Sequence, residues 1–185
     1  MSTPTLRRAD RLMDAESVIS FVNQAQTGRL ATIGSDGYPY CIPLLFIWMN
    51  GSVYLHGTNV VGHLRKNIDH NSRVCFELDD TGEVFDYGRF ECDSGIAYRS
   101  VVIFGDISVV TDIATRQEFC ERLMEKYGKP GTIRPKGFFP RLDWISIYRL
   151  SVERISGKEQ ILPPLEEQWP ARDRTKTPNA DVKIV

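Results

Sequence analysis

The sequence predicts a mainly β protein folded as an antiparallel barrel. Strand-like runs rich in β-branched and aromatic residues dominate the chain, hairpin signals join several of them, and few helical segments interrupt them. Chains with hairpins and few crossovers form antiparallel barrels or sandwiches. The runs are long for a chain of 185 residues, and closure into a barrel removes exposed edges.

The first element is a helix. Asp14 stands as a cap before an amphipathic run carrying Val18, Ile19, Phe21, Val22 and Ala25, and Gly28 is read as its end. The strand-like runs then follow in order: "RLATIG", "YCIPLLFIWM", "SVYLH", "RVCFEL", "AYRSVVIFGDISVV" and "DWISIYRLSVERI". "SDG" joins the first two and "NG" the next two. A short helix from about Gly62 to Ile68 interrupts them. A second follows the fifth run, with Thr115 to Glu118 as a capping box and Phe119, Leu123, Met124 and Tyr127 as its buried face. Gly128 and Pro130 stop it. "EVFDYGRFECD" lacks a period and reads as a loop.

In the last run, Ile145 and Ile147 mark one face while Leu150 and Val152 mark the other. Either a bulge switches the register or both faces are buried, and burial of both points to a partner subunit. The expected division is a barrel domain over residues 1-156 and a polar, proline-bearing segment over 157-185. That segment is either an arm across the surface or a disordered end.

Lys plus Arg (23) nearly balances Asp plus Glu (24), which gives no electrostatic reason to expect nucleic acid or an anionic membrane as partner. The longest apolar run, Ile42 to Met49, is far short of the roughly 20 residues that a membrane span needs. The charged N-terminus lacks the apolar stretch of a signal peptide. Cys41, Cys75, Cys92 and Cys120 form no CxxC pair, and Cys41, Cys75 and Cys120 sit in apolar patterns as small buried hydrophobes. A cytoplasmic protein with reduced thiols is expected.

The stretch that carries chemistry is "VYLHGTNVVGHLRKN", residues 53–67. Gly57 and Gly62 match the spacing of a P-loop, but His63 and Leu64 follow where that loop needs a lysine and a hydroxyl. A triphosphate site is therefore not expected. The physical logic of an anion site remains: a helix N-terminus, two glycines, the Thr58 hydroxyl, and donors on His63, Arg65 and Lys66. A turn with a solvated basic helix is the plainer alternative. His56, His63 and His70 stand seven apart but cannot share one helix face with a completing ligand, so no metal is expected. No GxSxG elbow is present, which removes the common hydrolase arrangement.

Four blocks together resemble the FMN-binding split-barrel family related to pyridoxamine 5'-phosphate oxidase. They are "GRLATIGSDGYPYCIPLLF", "VYLHGTNVVGHLRKNIDHNSRVCFEL", "YRSVVIFGDISVVTD" and "ISIYRLSVERISGKE". The chain is similar in particular to the nitroimidazole-resistance (Nim-like) branch, including "RRADR" near Arg7. The resemblance implies a six-stranded antiparallel split β-barrel that forms a homodimer with FMN at the subunit interface; FAD and haem rank below FMN. It places Ile42, Pro43 and Leu44 along the flavin ring, and His56 and Gly57 at a strand end near it. It puts Gly62 and the residues after it at the phosphate turn, Ser100 as a polar contact to the ring, and Trp144 as an aromatic contact from the other subunit. Arg99 would point the other way.

Leu64 stands where family members commonly carry a lysine. Arg65 and Lys66 are each turned about a hundred degrees per residue from that position on a helix. The oxidase's own basic substrate cluster is not recognisable, so pyridoxamine phosphate oxidation is not expected. The expected activity is a flavin-dependent oxidoreductase acting on nitroaromatic or similar small molecules, with His56 as proton donor. The alternatives are a non-catalytic flavin or haem carrier or sensor on the same barrel, and a dimeric interaction module that has lost its cofactor.

Overall fold

The computed structural model describes residues 8–131, 133 and 135–176. Arg7, part of the sequence resemblance, and residues 177–185 of the polar C-terminal segment lie outside the described residues.

Helix α1 (Ala15–Gln24) starts at Asp14, whose Oδ1 accepts from the Ser17 amide at 2.7 Å. It ends at the extended Ala25 rather than at Gly28. Gly28 instead begins β1 (Gly28–Ile33), where a Cβ would fall 2.1 Å from the Phe76 ring. Close packing, not a helix end, requires that glycine. Strands β2 (Pro39–Leu44), β3 (Phe46–Met49) and β4 (Ser52–Thr58) follow. Asn50 and Gly51 join the last two with φ of 53° and 69°, the paired positive φ of a tight hairpin turn. Helix α2 (His63–His70), β5 (Arg73–Asp86), β6 (Ser94–Val109), α3 (Ile113–Tyr127) and β7 (Ile145–Gln160) complete the regular structure.

The strands form one antiparallel sheet in the order β2-β1-β5-β6-β7-β4-β3. There are seven strands because the apolar run through Ile42 to Met49 breaks at Leu45. Its two halves become opposite edges of the sheet, yet a single residue separates them. The sheet must therefore roll until its edges come near one another without a ladder between them, which is a split barrel. The barrel interior holds Leu30, Phe46, Val53, Leu55, Phe76, Leu78, Val101, Ile103, Ile107 and Leu150. Helix α1 adds Val18, Phe21 and Val22, and α2 adds Ile68.

A second, smaller core lies outside the barrel wall. Ile47, Met49, Tyr54 and Ile147 face outward there and meet Val110, Phe119 and Cys120. β7 thus buries both faces: Ile147 in this outer core, Tyr148 and Leu150 in the barrel. The cover over Ile147 is the chain's own α3, so this pattern needs no second subunit to explain it. A register shift also occurs, further along, between Phe104 and Gly105 of β6, leaving Glu153 of β7 unmatched.

Several local expectations are corrected. The cap of α3 is Asp112, whose Oδ2 accepts from the Thr115 amide at 2.8 Å and its hydroxyl at 2.7 Å; the helix starts before the expected capping box. Met124 is exposed, and Cys120 takes the buried position in its place. Cys41 is exposed on β2, because it faces away from the barrel interior. Residues 83–86, expected in a loop, continue β5 and pair with β6 beyond a register shift between Thr81 and Val84. That shift resets the alternation, and an exposed hairpin tip needs little apolar patterning. Residues 157–160 belong to β7 and pair with β6. The following segment lies against the β5–β6 connection: the Trp169 amide donates to the Asp86 carbonyl at 2.9 Å, and the Arg174 amide to the Tyr87 carbonyl at 2.7 Å.

Candidate cofactor site

β4 delivers the chain to a four-residue connection and then to α2. Gly62 occupies the cap position with extended backbone and contributes no side chain, and no acidic residue stands in the first turn. The first helical hydrogen bond runs from the Lys66 amide to the Gly62 carbonyl at 3.1 Å. The amides of His63, Leu64 and Arg65 therefore have no partner within the helix. A Cβ added at Gly62 would meet nothing within 4 Å, so the space before these amides is open. The arrangement suits an anion.

The cations beside this turn divide. Arg65 Nε donates to both carboxylate oxygens of Asp69, at 2.8 and 2.9 Å, one helical turn on. Lys66 is exposed and has no ion pair among the described residues. The His63 ring packs on Tyr40 of β2 with centroids 4.3 Å apart. Leu64 is half-buried against the barrel core, which explains why an apolar residue holds that position.

Three polar residues that sequence reasoning passed over position the helix. Asn67 is buried, and its Nδ2 donates to Thr32 Oγ1 at 3.0 Å; that hydroxyl lies 3.4 Å from the Tyr40 carbonyl. The chain ties α2 to β1 and β2. Its only sequence signals are a threonine inside an apolar strand and an asparagine one turn after His63.

At the other end of the connection, the Asn59 amide donates to the Trp144 carbonyl at 3.1 Å and its side chain to the Asp143 carbonyl at 2.9 Å. Trp144 thus sits beside its own chain's β4–α2 connection, 66% exposed, near the exposed Val60 and Val61. Thr58 pairs with Ile145 at the same end of the sheet. A Cβ at Gly57 would lie 3.8 Å from the Tyr148 ring, a van der Waals distance, so Gly57 faces the barrel side.

His56, one residue earlier on β4, points the opposite way, into the outer core. Its ring centroid is 5.9 Å from that of Phe119, and its Nδ1 is buried with no hydrogen-bond partner. Burial holds its pKa below the ordinary histidine value, so the ring is neutral at pH 7.

The remaining expected contacts lie on strand faces. Ile42 and Leu44 pair with Leu30 and Gly28 and share their inward face; Pro43 pairs with Arg29 and faces out. Ser100 faces out between Asp79 and Lys158. Pro43 and Ser100 share this outer surface but stand three strands apart, about 14 Å across the ladder. Arg29 bridges the interval, with Nη1 on Glu77 at 3.0 Å and in close contact with Asp79. Half-buried Val102 and Phe104 continue the same face. The expected residues therefore form four groups: the α2 turn with Gly57, Thr58 and Trp144; the outer pair Pro43 and Ser100; the inward-facing Ile42 and Leu44; and His56 under α3.

Among the described residues, no three His, Cys, Asp or Glu side chains converge to hold a metal, and no helix is long and apolar enough to cross a membrane.

Comparison with known proteins adds the following. The pattern defining the pyridoxamine 5'-phosphate oxidase family matches residues 14–159. No curated protein matches the sequence. Among solved structures, a candidate 5-nitroimidazole antibiotic resistance protein from Bacteroides thetaiotaomicron superposes with a TM-score of 0.67 at 19% identity, over 80% of this chain and 86% of that one. The FAD and haem binding protein from Mycobacterium smegmatis gives 0.68 at 19%, over 82% and 73%. The flavocytochrome Anf3 from Azotobacter vinelandii gives 0.72 at 20%, over 98% and 89%. At these identities the likeness carries the fold, a split barrel of the kind found in flavin-binding proteins.

Proposed function

The chain belongs to the pyridoxamine 5'-phosphate oxidase family, and from that premise we propose that it binds a flavin, FMN first among them, and reduces nitroaromatic or similar small acceptors. The observation that carries this reading is the α2 turn: three amides with no partner within the helix, no acidic residue in the first turn, and open space before Gly62.

The residues present fit the anionic end of such a cofactor. The amides of His63, Leu64 and Arg65, together with exposed Lys66, would hold a phosphate. Arg65 is drawn to Asp69, one helical turn further along α2. A bound flavin would supply the electron transfer, taking electrons from a donor and passing them to an acceptor. Trp144, Val60 and Val61 offer apolar surface beside the turn, suited to excluding water from a planar group. His56 is neutral at pH 7, with one N–H to give and one lone pair to receive. In this reading it is not an imidazolium acid.

The proposal includes a homodimer. The outer face bearing Pro43, Arg29, Val102, Phe104 and Ser100 is not covered by any described helix, whereas the other half of the wall lies under α3. A second copy placed there would sequester both the apolar strip and the Pro43–Ser100 surface.

The absorbance spectrum of freshly purified protein tests the reading. Flavin bands, FMN on acid release, and bleaching by a nicotinamide reductant with turnover of a nitroaromatic are expected. Colourless protein that fails to quench the fluorescence of added FMN would overturn it. A second reading, a carrier or sensor for FAD or haem, draws on Leu64 in the lysine position and on the Arg65–Asp69 pair, both of which weaken a monophosphate site. A Soret band, or a flavin inert to reductants, would favour it.

A further inference from the structure

A recess of about 300 Å³ opens at the β3 edge of the sheet, between the end of α3, the strand β3 and helix α1. It lies apart from the α2 turn and from the Pro43–Ser100 face, and the proposed flavin chemistry does not use it. Ile47 and Trp48 of β3 form its apolar wall, with Asn23 of α1 at one side and Arg122, Glu125 and Lys126 of α3 at the other.

Lys126 is the unusual group. Its Nζ stands 4.2 Å from the centroid of the fully buried Phe46 ring and 5.3 Å from that of Tyr127. No hydrogen bond or ion pair to it is present among the described residues, although carboxylates stand nearby on the same helix. Arg122, which also lines the recess, pairs with Glu118 at 2.9 Å. An amine placed over aromatic rings without an acidic partner is stabilised as a cation only by the ring faces. Burial accordingly lowers its pKa to about 8. Near neutral pH it therefore presents on the order of a hundredfold more free amine than an exposed lysine does.

We propose that this recess is a covalent binding site in which Lys126 captures a small aromatic aldehyde as an imine. The lone pair of Nζ attacks the carbonyl carbon, a C–N bond forms, and the carbonyl oxygen departs as water with the two amine protons. No electrons change hands, so no oxidant or reductant is required. The exchange replaces an ammonium that is costly to bury with a neutral imine, so the same desolvation that frees the amine also favours its product. Trp48, Ile47 and the Phe46 ring select an apolar or aromatic substituent, and the volume accepts a single-ring compound. The other charged groups lining the recess are Arg122 and Glu125 of α3; the walls from β3 and α1 contribute Ile47, Trp48 and Asn23.

The test is reductive trapping. The full chain is incubated with benzaldehyde and cyanoborohydride across pH 6 to 11, and peptide mass spectrometry locates the N-benzyl groups. Labelling at Lys126 about tenfold or more above any other lysine near neutral pH is expected, rising through a midpoint near pH 8. Lys126→Arg, which keeps the cation over Phe46, should lose that label while retaining the wild-type melting temperature. Trp48→Ala should lower the preference for benzaldehyde over formaldehyde. Labels distributed among lysines by exposure alone, or a Lys126 midpoint near that of an ordinary lysine, would overturn the proposal.

Discussion

Tyr127, the last residue of α3, joins three parts of the chain through one hydroxyl. The oxygen lies 2.9 Å from the carbonyls of Gln26 and Phe46 and accepts from the Phe46 amide at 3.3 Å. Burial raises its pKa, with the Phe46 amide acting in the opposite sense, so it remains a neutral donor throughout the physiological range. Tyr127→Phe leaves the ring but strands these backbone groups, and a loss of about 1–2 kcal/mol in urea unfolding is expected. His56 makes a prediction in pH. Its folded pKa lies below the ordinary value, so below about pH 6.5 the unfolded chain binds a proton that the folded chain resists. Stability should therefore fall as pH drops through that value. His56→Leu should remove this component of the acid limb; an unchanged slope between pH 7 and 5 would show that the buried Nδ1 has no such effect.

Helix α3 acts at the scale of elements because it gives the barrel wall a second core. Arg116 fastens it. Its Nη2 donates to the Leu142 carbonyl at 2.6 Å and to the Ile145 carbonyl at 3.2 Å, and Nη1 to the Val110 carbonyl at 3.3 Å. One guanidinium thus holds together the exit of β6 and the entrance of β7, on the side where Trp144 stands. Arg116→Met keeps the aliphatic stem and removes the donors. We expect a cost of about 1.5–3 kcal/mol and a more mobile Trp144, seen as a shift in its fluorescence. Gradual urea unfolding of the variant with wild-type midpoint would refute this role. Helix starts and hairpins were the most legible elements, since Asp14 and Asn50-Gly51 act through their immediate neighbours. The α3 start was misread because Asp112 and Thr115 both belong to plausible cap patterns, and only side-chain geometry separates them.

The whole molecule is one rolled sheet whose two outer halves differ. α3 covers the half made by β3, β4 and the start of β7; the half made by β2, β1, β5 and β6 carries Pro43, Val102, Phe104 and the Arg29–Glu77–Asp79 cluster. If the open half pairs with a second copy, Phe104→Glu should convert a dimer to a folded monomer in sedimentation while the far-UV spectrum stays unchanged. A wild-type chain that sediments as a monomer at all concentrations would remove the proposed seam. Arg154 stands 4.4 Å over the Phe104 ring and gives this patch a cationic edge, so salt should modulate the association.

Alternation, turn residues and the ordered blocks were enough to read a mainly β split barrel and an anion-compatible turn at residue 62, because these signals act between residues close in the chain. Other features needed chain segments brought together from afar. The break at Leu45 sends the halves of one apolar run to opposite edges, α3 rather than a partner covers Ile147, and Asn67 of α2 meets Thr32 of β1. Where His56 points, and how bare Lys126 stays above Phe46, depend likewise on which side chains arrive from the other side of the core, and no local pattern records that arrival.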